Sequence, residues 1–324
     1  MKIKLVISAW LVASGFFPII SAFAADTYPS RSIRVLVPNG AGSSVDTLTR
    51  IVTTSMSNVI KQQLVVDNRA GAGGVIGMEI GKDANPDGYT LIAATTAAST
   101  IARLLVKNPT YHPVNDYDMV GQFGVTLNVL VVSNSLPVKS VPELIAYAKS
   151  GKQPFNMASA GVGSQSHLSG AYFLLEAKID SLHVPYKGGG ASSASVVSGE
   201  SQWSLIPSAA AMTHVNAKRM RAIGHSLIKP TALLPGIPPI SDTIPGFDYT
   251  GWMGFMVPKG TPKPVVEKLH VAMVETMKIP DVVKAMAFQG TEIIILKPAE
   301  FRKEVQESMI KNAKLVKTVG LQAN

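Results

Sequence analysis

Serine, threonine and glycine residues cluster at several points of the chain in patterns that suit the binding of an anion. Ser43 and Ser44 follow Gly40 and Gly42, and Asp46 stands three residues after Ser43, close to the capping box that opens a helix. Glycine permits a tight turn and the close approach of a ligand, while free N–H groups and the positive end of a helix dipole attract negative charge. An ordinary, well-capped strand-to-helix loop would show the same residues.

Two later segments have the same character. Thr95 and Thr96 follow a predicted strand, and residues 159–167 hold three serines, two glycines and His167. Serine hydroxyls and the N–H groups at a helix start can both donate to a carboxylate. The catalytic alternative pairs a serine with His167, but the chain lacks the Gly-x-Ser-x-Gly elbow of many serine hydrolases. Helix capping or pocket lining is the role that we expect for His167.

Other chemistries lack their usual motifs. The six histidines are scattered without metal-ligand spacing, cysteine is absent, and neither a P-loop nor a His-Glu-x-x-His pattern occurs. The glycines after Arg69 lack the spacing of a dinucleotide-binding loop, which argues against NAD. We therefore expect no catalytic residue, no metal and no cofactor.

The polar loops fall at strand-to-helix junctions of an α/β chain. Apolar runs at 33–37, 64–67 and 89–93 are predicted strands, and each precedes a small-residue loop and a helix. This alternation predicts a mostly parallel sheet, which binds ligands beyond the carboxyl ends of its strands. A second unit with the same plan begins near residue 156. Trp252, in a later predicted strand, is expected to pack in the core or between domains.

The start of the chain has the pattern of a cleavable signal peptide. Lys2 and Lys4 precede an apolar run at 5–20, and Ala22 and Ala24 occupy the two positions that signal peptidase reads. We expect cleavage after Ala24 and a periplasmic protein; an uncleaved N-terminal anchor is the alternative. The apolar run is short for a membrane span, and no later stretch is long enough.

Composition limits the partners of the protein. The formal net charge is +9, and +7 remains without Lys2 and Lys4. A basic, exported protein fits an anionic small ligand or an anionic membrane surface better than nucleic acid. Without cysteine, an exported chain must be stabilised by its core alone, which favours packed α/β domains over a small disulfide-linked one.

The order of short motifs along the chain resembles the Bug family, the extracytoplasmic solute receptors of tripartite tricarboxylate transporters. The resembling segments are residues 28–33, 37–46, 67–74, 86–91, 158–164, 166–168, 184–188 and 257–262. The resemblance implies an α/β, two-domain periplasmic-binding-protein fold of type 2 (Venus-flytrap), with a ligand cleft between the domains. It also implies a cleft that closes on carboxylates without catalysis.

The same resemblance implies that one domain is built from two chain segments. The expected organisation is a signal peptide at 1–24, a first domain from 25–124 together with 226–324, and a second domain at 125–225. We expect a monomer that captures a small carboxylate and delivers it to the membrane permease subunits of a tripartite transporter. Nucleic acid is not an expected partner.

The candidate ligand-binding residues lie in the small-residue loops, at strand ends and at the mouth of the expected cleft. They are Asn39, Gly40, Ala41, Gly42, Ser43, Ser44, Thr95, Thr96, Ser159, Gly163, Ser164, Gln165, His167, Tyr186, Ile206 and Pro207.

Some positions depart from the pattern usual in the Bug family, and these bear on the ligand. The strand near 206 usually ends in Phe-Asp, but here it ends in Leu205 and Ile206 followed by Pro207. An acid at position 206 could pair with a ligand's ammonium group. Ile206 therefore favours a dicarboxylate without an amine, either aromatic, such as a phthalate isomer, or a short aliphatic diacid. The open alternative is that Ile206 only packs in the core.

Other functions stay open on the sequence alone. A secreted hydrolase would need a serine positioned by a base. The effector-binding module of a regulator can share the two-domain fold, but such regulators carry a DNA-binding helix pair where this chain has its signal segment. A receptor that senses its ligand without transporting it is a further alternative.

Overall fold

The computed structural model describes residues 28–151 and 154–321, so the predicted signal peptide and its cleavage site lie outside the described part of the chain. Ten strands form within these residues: β1 (Ile33–Val37), β2 (Leu64–Asn68), β3 (Thr90–Thr95), β4 (Tyr117–Ser133), β5 (Asn156–Ser159), β6 (Leu182–Pro185), β7 (Trp203–Pro207), β8 (Met220–His225), β9 (Thr250–Pro258) and β10 (Thr291–Glu292).

Nine α-helices accompany the strands in the same ranges: α1 (Ser44–Ile60), α2 (Val75–Lys82), α3 (Val141–Lys149), α4 (Gln165–Ala177), α5 (Gly189–Ser198), α6 (Ser208–Asn216), α7 (Lys263–Thr276), α8 (Pro280–Phe288) and α9 (Pro298–Thr318). The element order confirms the predicted helices after β1 and β2, whereas a short π-helix (Ala97–Ile101) and a 3-10 helix (Ala102–Leu105) follow β3 in place of an α-helix. The sequence analysis did not identify α6. None of these helices is both long enough and apolar enough to cross a bilayer.

The first half of the sheet has the strand order β2-β1-β3-β9-β4. Here β1 pairs in parallel with β2 and β3, while β9 runs antiparallel to β3 and β4. The side chains of Val35, Leu36 and Val37 are fully buried, as expected for a parallel strand covered on both faces. Because β2, β1 and β3 are neighbours, the loops that follow them meet at one edge, as predicted.

The second half consists of β7, β5 and β6 with the antiparallel strand β8. Here β5 pairs in parallel with β6 and β7, and β4 pairs antiparallel with β7 and β8. Trp203, fully buried, is the centre of its core: the ring lies 5.9 Å from that of Phe155 and 5.5 Å from that of Phe173. The second half thus repeats the parallel plan of the first.

The long strand β4 belongs to both halves. It pairs with β9 as far as Leu127 and with β7 and β8 from Asn128 onward. The buried apolar run at 128–132 predicts a strand there, and the structure corrects this by extending the strand back to Tyr117. Register shifts near Gly121 and Gly124 interrupt the ladder there, and such irregularities bend a strand. The predicted boundary at 125 falls inside β4 and the one at 225 at the end of β8; both stay predictions.

Candidate functional site

The first loop is folded into a helix cap. Ser43 is the N-cap of α1, its Oγ accepts from the Asp46 N–H at 3.3 Å, and its own N–H donates to the Gly40 carbonyl at 3.2 Å. The Asp46 carboxylate then reaches back and accepts from the Gly42 N–H at 2.8 Å. Gly42 has a φ of 76°, a value that favours glycine. The Ser43 hydroxyl and the Asp46 carboxylate therefore each accept a hydrogen bond from a backbone N–H at the helix start, much as in a capping box.

The loop before α4 has the same geometry. Ser164 is the N-cap, its Oγ accepts from the His167 N–H at 3.2 Å, and its N–H donates to the Gly161 carbonyl at 3.1 Å. The Nδ1 atom of His167 accepts from the Gly163 N–H at 3.2 Å, and Gly163 has a φ of 78°. His167 thus has at α4 the position and the acceptor role that Asp46 has at α1.

Two backbone N–H groups remain unpaired at each helix start. At α1 they belong to Ser44 and Val45, and at α4 to Gln165 and Ser166, for which no acceptor lies among the described residues. The first turn of a helix always has such orphan donors, and water, side chains or ligands satisfy them. All four residues line the same cavity. Two equivalent helix starts, one from each half of the sheet, therefore contribute residues with free donors to the lining of one cavity.

The cavity has a volume of about 80 Å³. Its lining, taken from both halves of the sheet, is Asn39, Ser43, Ser44, Val45, Gly73, Thr95, Ala97, Thr126, Ala160, Ser164, Gln165, Ser166, Gly189, Ile206, Pro207, Ala210, Trp252 and Met253. Among the described residues that form this lining, none is ionisable. Any charge on a bound ligand would face hydroxyl groups, amides and helix starts instead of charged side chains.

Half of the candidate residues come together here. Those that line the cavity are Asn39, Ser43, Ser44, Thr95, Ser164, Gln165, Ile206 and Pro207. The other eight lie outside this lining: Gly40, Ala41, Gly42, Thr96, Ser159, Gly163, His167 and Tyr186. The ligand-binding role of all sixteen stays a prediction.

Several candidate residues outside the lining form hydrogen bonds or ring contacts with neighbouring elements. The hydroxyl of Ser159 lies 2.7 Å from Nε2 of His183, and the His183 ring stacks on His167 with 4.0 Å between the ring centres. Thr96 accepts from the backbone N–H of Trp252 at 2.8 Å. Tyr186, expected at the mouth of the cleft, instead places its hydroxyl 3.1 Å from the Ser201 hydroxyl.

Ten lining residues are not among the sixteen candidates, although Ser166 is one of the three serines noted as possible donors: Val45, Gly73, Ala97, Thr126, Ala160, Ser166, Gly189, Ala210, Trp252 and Met253. Thr126 lies in the part of β4 that the sequence analysis did not identify as a strand. Trp252 was assigned to packing, and it does pack, with its ring 5.0 Å from that of Phe301, but it also faces the cavity. Ile206 likewise does both, since it is fully buried in the core of the second half and lines the cavity.

The carboxylate nearest to the first loop is held as an anion. Burial of Asp46 works to raise its pKa, but hydrogen bonds from Arg50, Gly42 and Asn68 outweigh burial and hold the pKa below its usual range. The Arg50 Nε atom lies 2.9 Å from the carboxylate and the Asn68 amide 3.0 Å from it. Asn68 also donates to the Asn39 carbonyl at 3.0 Å. This network fixes the loop and pairs its one acid with a cation.

The pair of stacked histidines predicts a pH dependence of stability. Burial, and secondarily the neighbouring His183, lower the pKa of His167 from 6.5 to about 4. Between these values the unfolded chain binds a proton that the folded chain excludes. The free energy of unfolding is therefore expected to fall as the pH falls, by up to about 1.4 kcal/mol per pH unit for such a histidine.

Urea denaturation between pH 7 and pH 4 measures this effect in wild type and in His167→Asn. The asparagine amide oxygen can still accept from the Gly163 N–H but does not titrate. The variant should lose less stability than wild type over the range. The pKa of His183, His214 and His225 is also lowered, foremost by burial, so part of the slope should remain. Equal slopes for the two proteins would contradict the assignment.

Comparisons with known proteins show which proteins this chain is similar to. The sequence profile of the TctC family, described as tripartite tricarboxylate transporter family receptor, matches residues 48–321. Protein BugT of Bordetella pertussis is 29% identical over 98% of each chain. The structure of periplasmic binding protein BugD is 27% identical, with a TM-score of 0.86 over 92% of this chain and 100% of that one.

The structure of R. palustris Rpa4515 with adipate is 26% identical, with a TM-score of 0.88 over 92% of this chain and 100% of that one. These likenesses establish the α/β periplasmic-binding-protein fold. The family's receptors are periplasmic. Since the profile covers most of the sequence, the chain belongs to the family of tripartite tricarboxylate transporter receptors, and it is a relative of the Bug proteins.

Proposed function

We propose that this protein captures an amine-free dicarboxylate in the cavity between the two sheet halves and delivers it to the permease subunits of a tripartite transporter. One observation carries the proposal: four residues with free backbone N–H groups, two at the start of α1 and two at the start of α4, line one cavity whose described lining has no ionisable side chain. Each helix start carries roughly half a positive charge. Together the two starts match the single negative charge of one carboxylate group of the ligand.

The lining favours a diacid over an amino acid. No carboxylate lies in the described lining to pair with an ammonium group, and Ile206 occupies the position where the Bug pattern usually has an acid. Val45, Ala97 and Ala210 offer apolar surface for a carbon skeleton between the two ends. Adipate, the ligand in the Rpa4515 structure, is itself an amine-free dicarboxylate. The proposed ligand is either an aromatic diacid, such as a phthalate isomer, or a short aliphatic diacid.

The protein acts in the periplasm after removal of residues 1–24, as a monomer, without cofactor or metal and without nucleic acid. Hydrolysis is disfavoured by the position of the hydrogen-bonded pair Ser159 and His183, because Ser159 is not part of the cavity lining. A receptor that senses the ligand without transport is the alternative function.

A thermal-shift screen against mono-, di- and tricarboxylates, with aspartate and glutamate included, tests the ligand class. A ligand at about 100 times its Kd adds about 2.7 kcal/mol to the free energy of unfolding, which is easily detected. Amine-free diacids should stabilise the protein most. Stronger stabilisation by aspartate, glutamate or a monocarboxylate would contradict the proposed class, and no shift with any acid would contradict carboxylate binding itself.

A further inference from the structure

The two indole groups of the described chain differ in one respect. Trp203 donates from Nε1 to the hydroxyl of Ser181 at 3.0 Å. Trp252 is also buried, with only 4% of its surface exposed, yet its Nε1 has no acceptor among the described residues. A buried tryptophan N–H usually finds a partner, since an unpaired buried donor is costly.

Contacts of both its ring and its backbone fix Trp252 in place, although its indole N–H has no acceptor among the described residues. Its ring packs edge to face on Phe301, with planes at 86° and ring centres 5.0 Å apart. Its backbone N–H donates to the Thr96 hydroxyl at 2.8 Å, and the residue lines the cavity. A rigid donor beside a cavity is arranged in advance for an acceptor that a ligand brings.

A second unpaired donor comes from the opposite half of the sheet. The Nε2 atom of Gln165 is buried and has no acceptor among the described residues. Its amide lies close over Gly251, the residue before Trp252, where a Cβ atom would stand 2.5 Å from Nε2. Gln165 also lines the cavity, at the first position of α4. Both side-chain donors are therefore found at one end of the strand β9.

We propose that the indole N–H of Trp252 and the side-chain amide N–H of Gln165 donate to an acceptor group of the ligand. This acceptor is not the carboxylate that the backbone N–H groups at the starts of α1 and α4 bind. This inference rests on the proposed function and deepens it. Four backbone donors at two helix starts can hold one carboxylate whatever the rest of the molecule is. Side-chain donors that remain unpaired without a second acceptor would select diacids against monocarboxylates of equal length.

The test compares adipate with hexanoate, which has the same carbon chain but one carboxylate. Proton–nitrogen correlation spectra of 15N-labelled protein show the indole N–H signals of Trp203 and Trp252, which the Trp203→Phe and Trp252→Phe variants assign. Adipate should shift the Trp252 signal and leave that of Trp203 in place, since the latter is bonded inside the protein. If adipate does not bind, succinate, glutarate and phthalate replace it, each beside its matching monoacid.

The Trp252→Phe variant removes the donor and keeps a ring against Phe301. It should weaken binding of the diacid about 10-fold or more and change binding of the matching monoacid less than about 3-fold. Trp203→Phe is the control and should alter neither affinity. Equal losses for both acids would mean a packing role for Trp252 and overturn the inference, as would an unmoved Trp252 signal in a protein saturated with diacid. If no diacid binds, the proposed function fails, and this inference with it.

Discussion

Replacing both Ser44 and Gln165 by proline is expected to weaken ligand binding about 10²- to 10⁴-fold. Proline has no N–H, and the first position of a helix tolerates it because that N–H has no partner within the helix. Each lost hydrogen bond to a carboxylate costs about 1.5–3 kcal/mol, and two separate sites should add. The N-cap residues accept a following proline without change, since Ser43 and Ser164 have ψ values of 162° and 161°.

The matched control replaces Ser44 and Gln165 by alanine, which removes the same side chains but keeps both N–H groups. Titration calorimetry with the best diacid of the screen measures both variants. The difference in binding free energy between the proline and alanine variants gives the contribution of the two backbone donors alone. Circular dichroism verifies that α1 and α4 persist in both variants. Equal affinities for the two double variants would show that the helix starts do not grip the ligand.

Replacing Ile206 by aspartate is expected to reduce diacid affinity about 100-fold or more. Ile206 is fully buried at the end of β7 and lines a cavity without an ionisable residue in its described lining. A carboxylate placed roughly 5 Å from a ligand carboxylate costs about 3 kcal/mol at an effective dielectric constant of about 20. The affinity for glutamate and aspartate should rise relative to that for diacids, because the new acid can pair with an ammonium group.

Ile206→Asn is the control for this prediction, because the asparagine side chain is polar and has the size of aspartate but carries no charge. Both variants should be destabilised by the loss of apolar burial, so their affinities are compared with each other at pH 8, where the buried acid is ionised more fully. If the aspartate and asparagine variants bind diacids equally, residue 206 does not face the ligand and Ile206 serves the core alone.

Regular patterns made most of the architecture predictable. The apolar runs of β1, β2 and β3 and the cap at Ser43 are local signals, and the structure confirms them. The first part of β4 was missed because its strand pairing is non-local and its two register shifts obscure the alternation. Helix α6 was missed because its small residues give little amphipathic contrast.

The site was predictable as a set of loops but less so as a set of contacts. The equivalence of the two helix starts was hidden because the back-bonding residue is an acid at 46 and an imidazole at 167. What they share is an acceptor three positions after the cap, which residue type alone does not show. Trp252 was not predicted to contact the ligand because an aromatic side chain suits core packing and a binding site equally well. Only the unpaired Nε1 atom distinguishes the two roles.

A crystal structure of the protein with its best-binding diacid tests the central claim most directly. We expect carboxylate oxygens about 2.7–3.1 Å from the backbone nitrogens of Ser44 and Val45 on one side and of Gln165 and Ser166 on the other. Density for the diacid elsewhere, or in the cavity with these four nitrogens bonded only to water, would contradict the account.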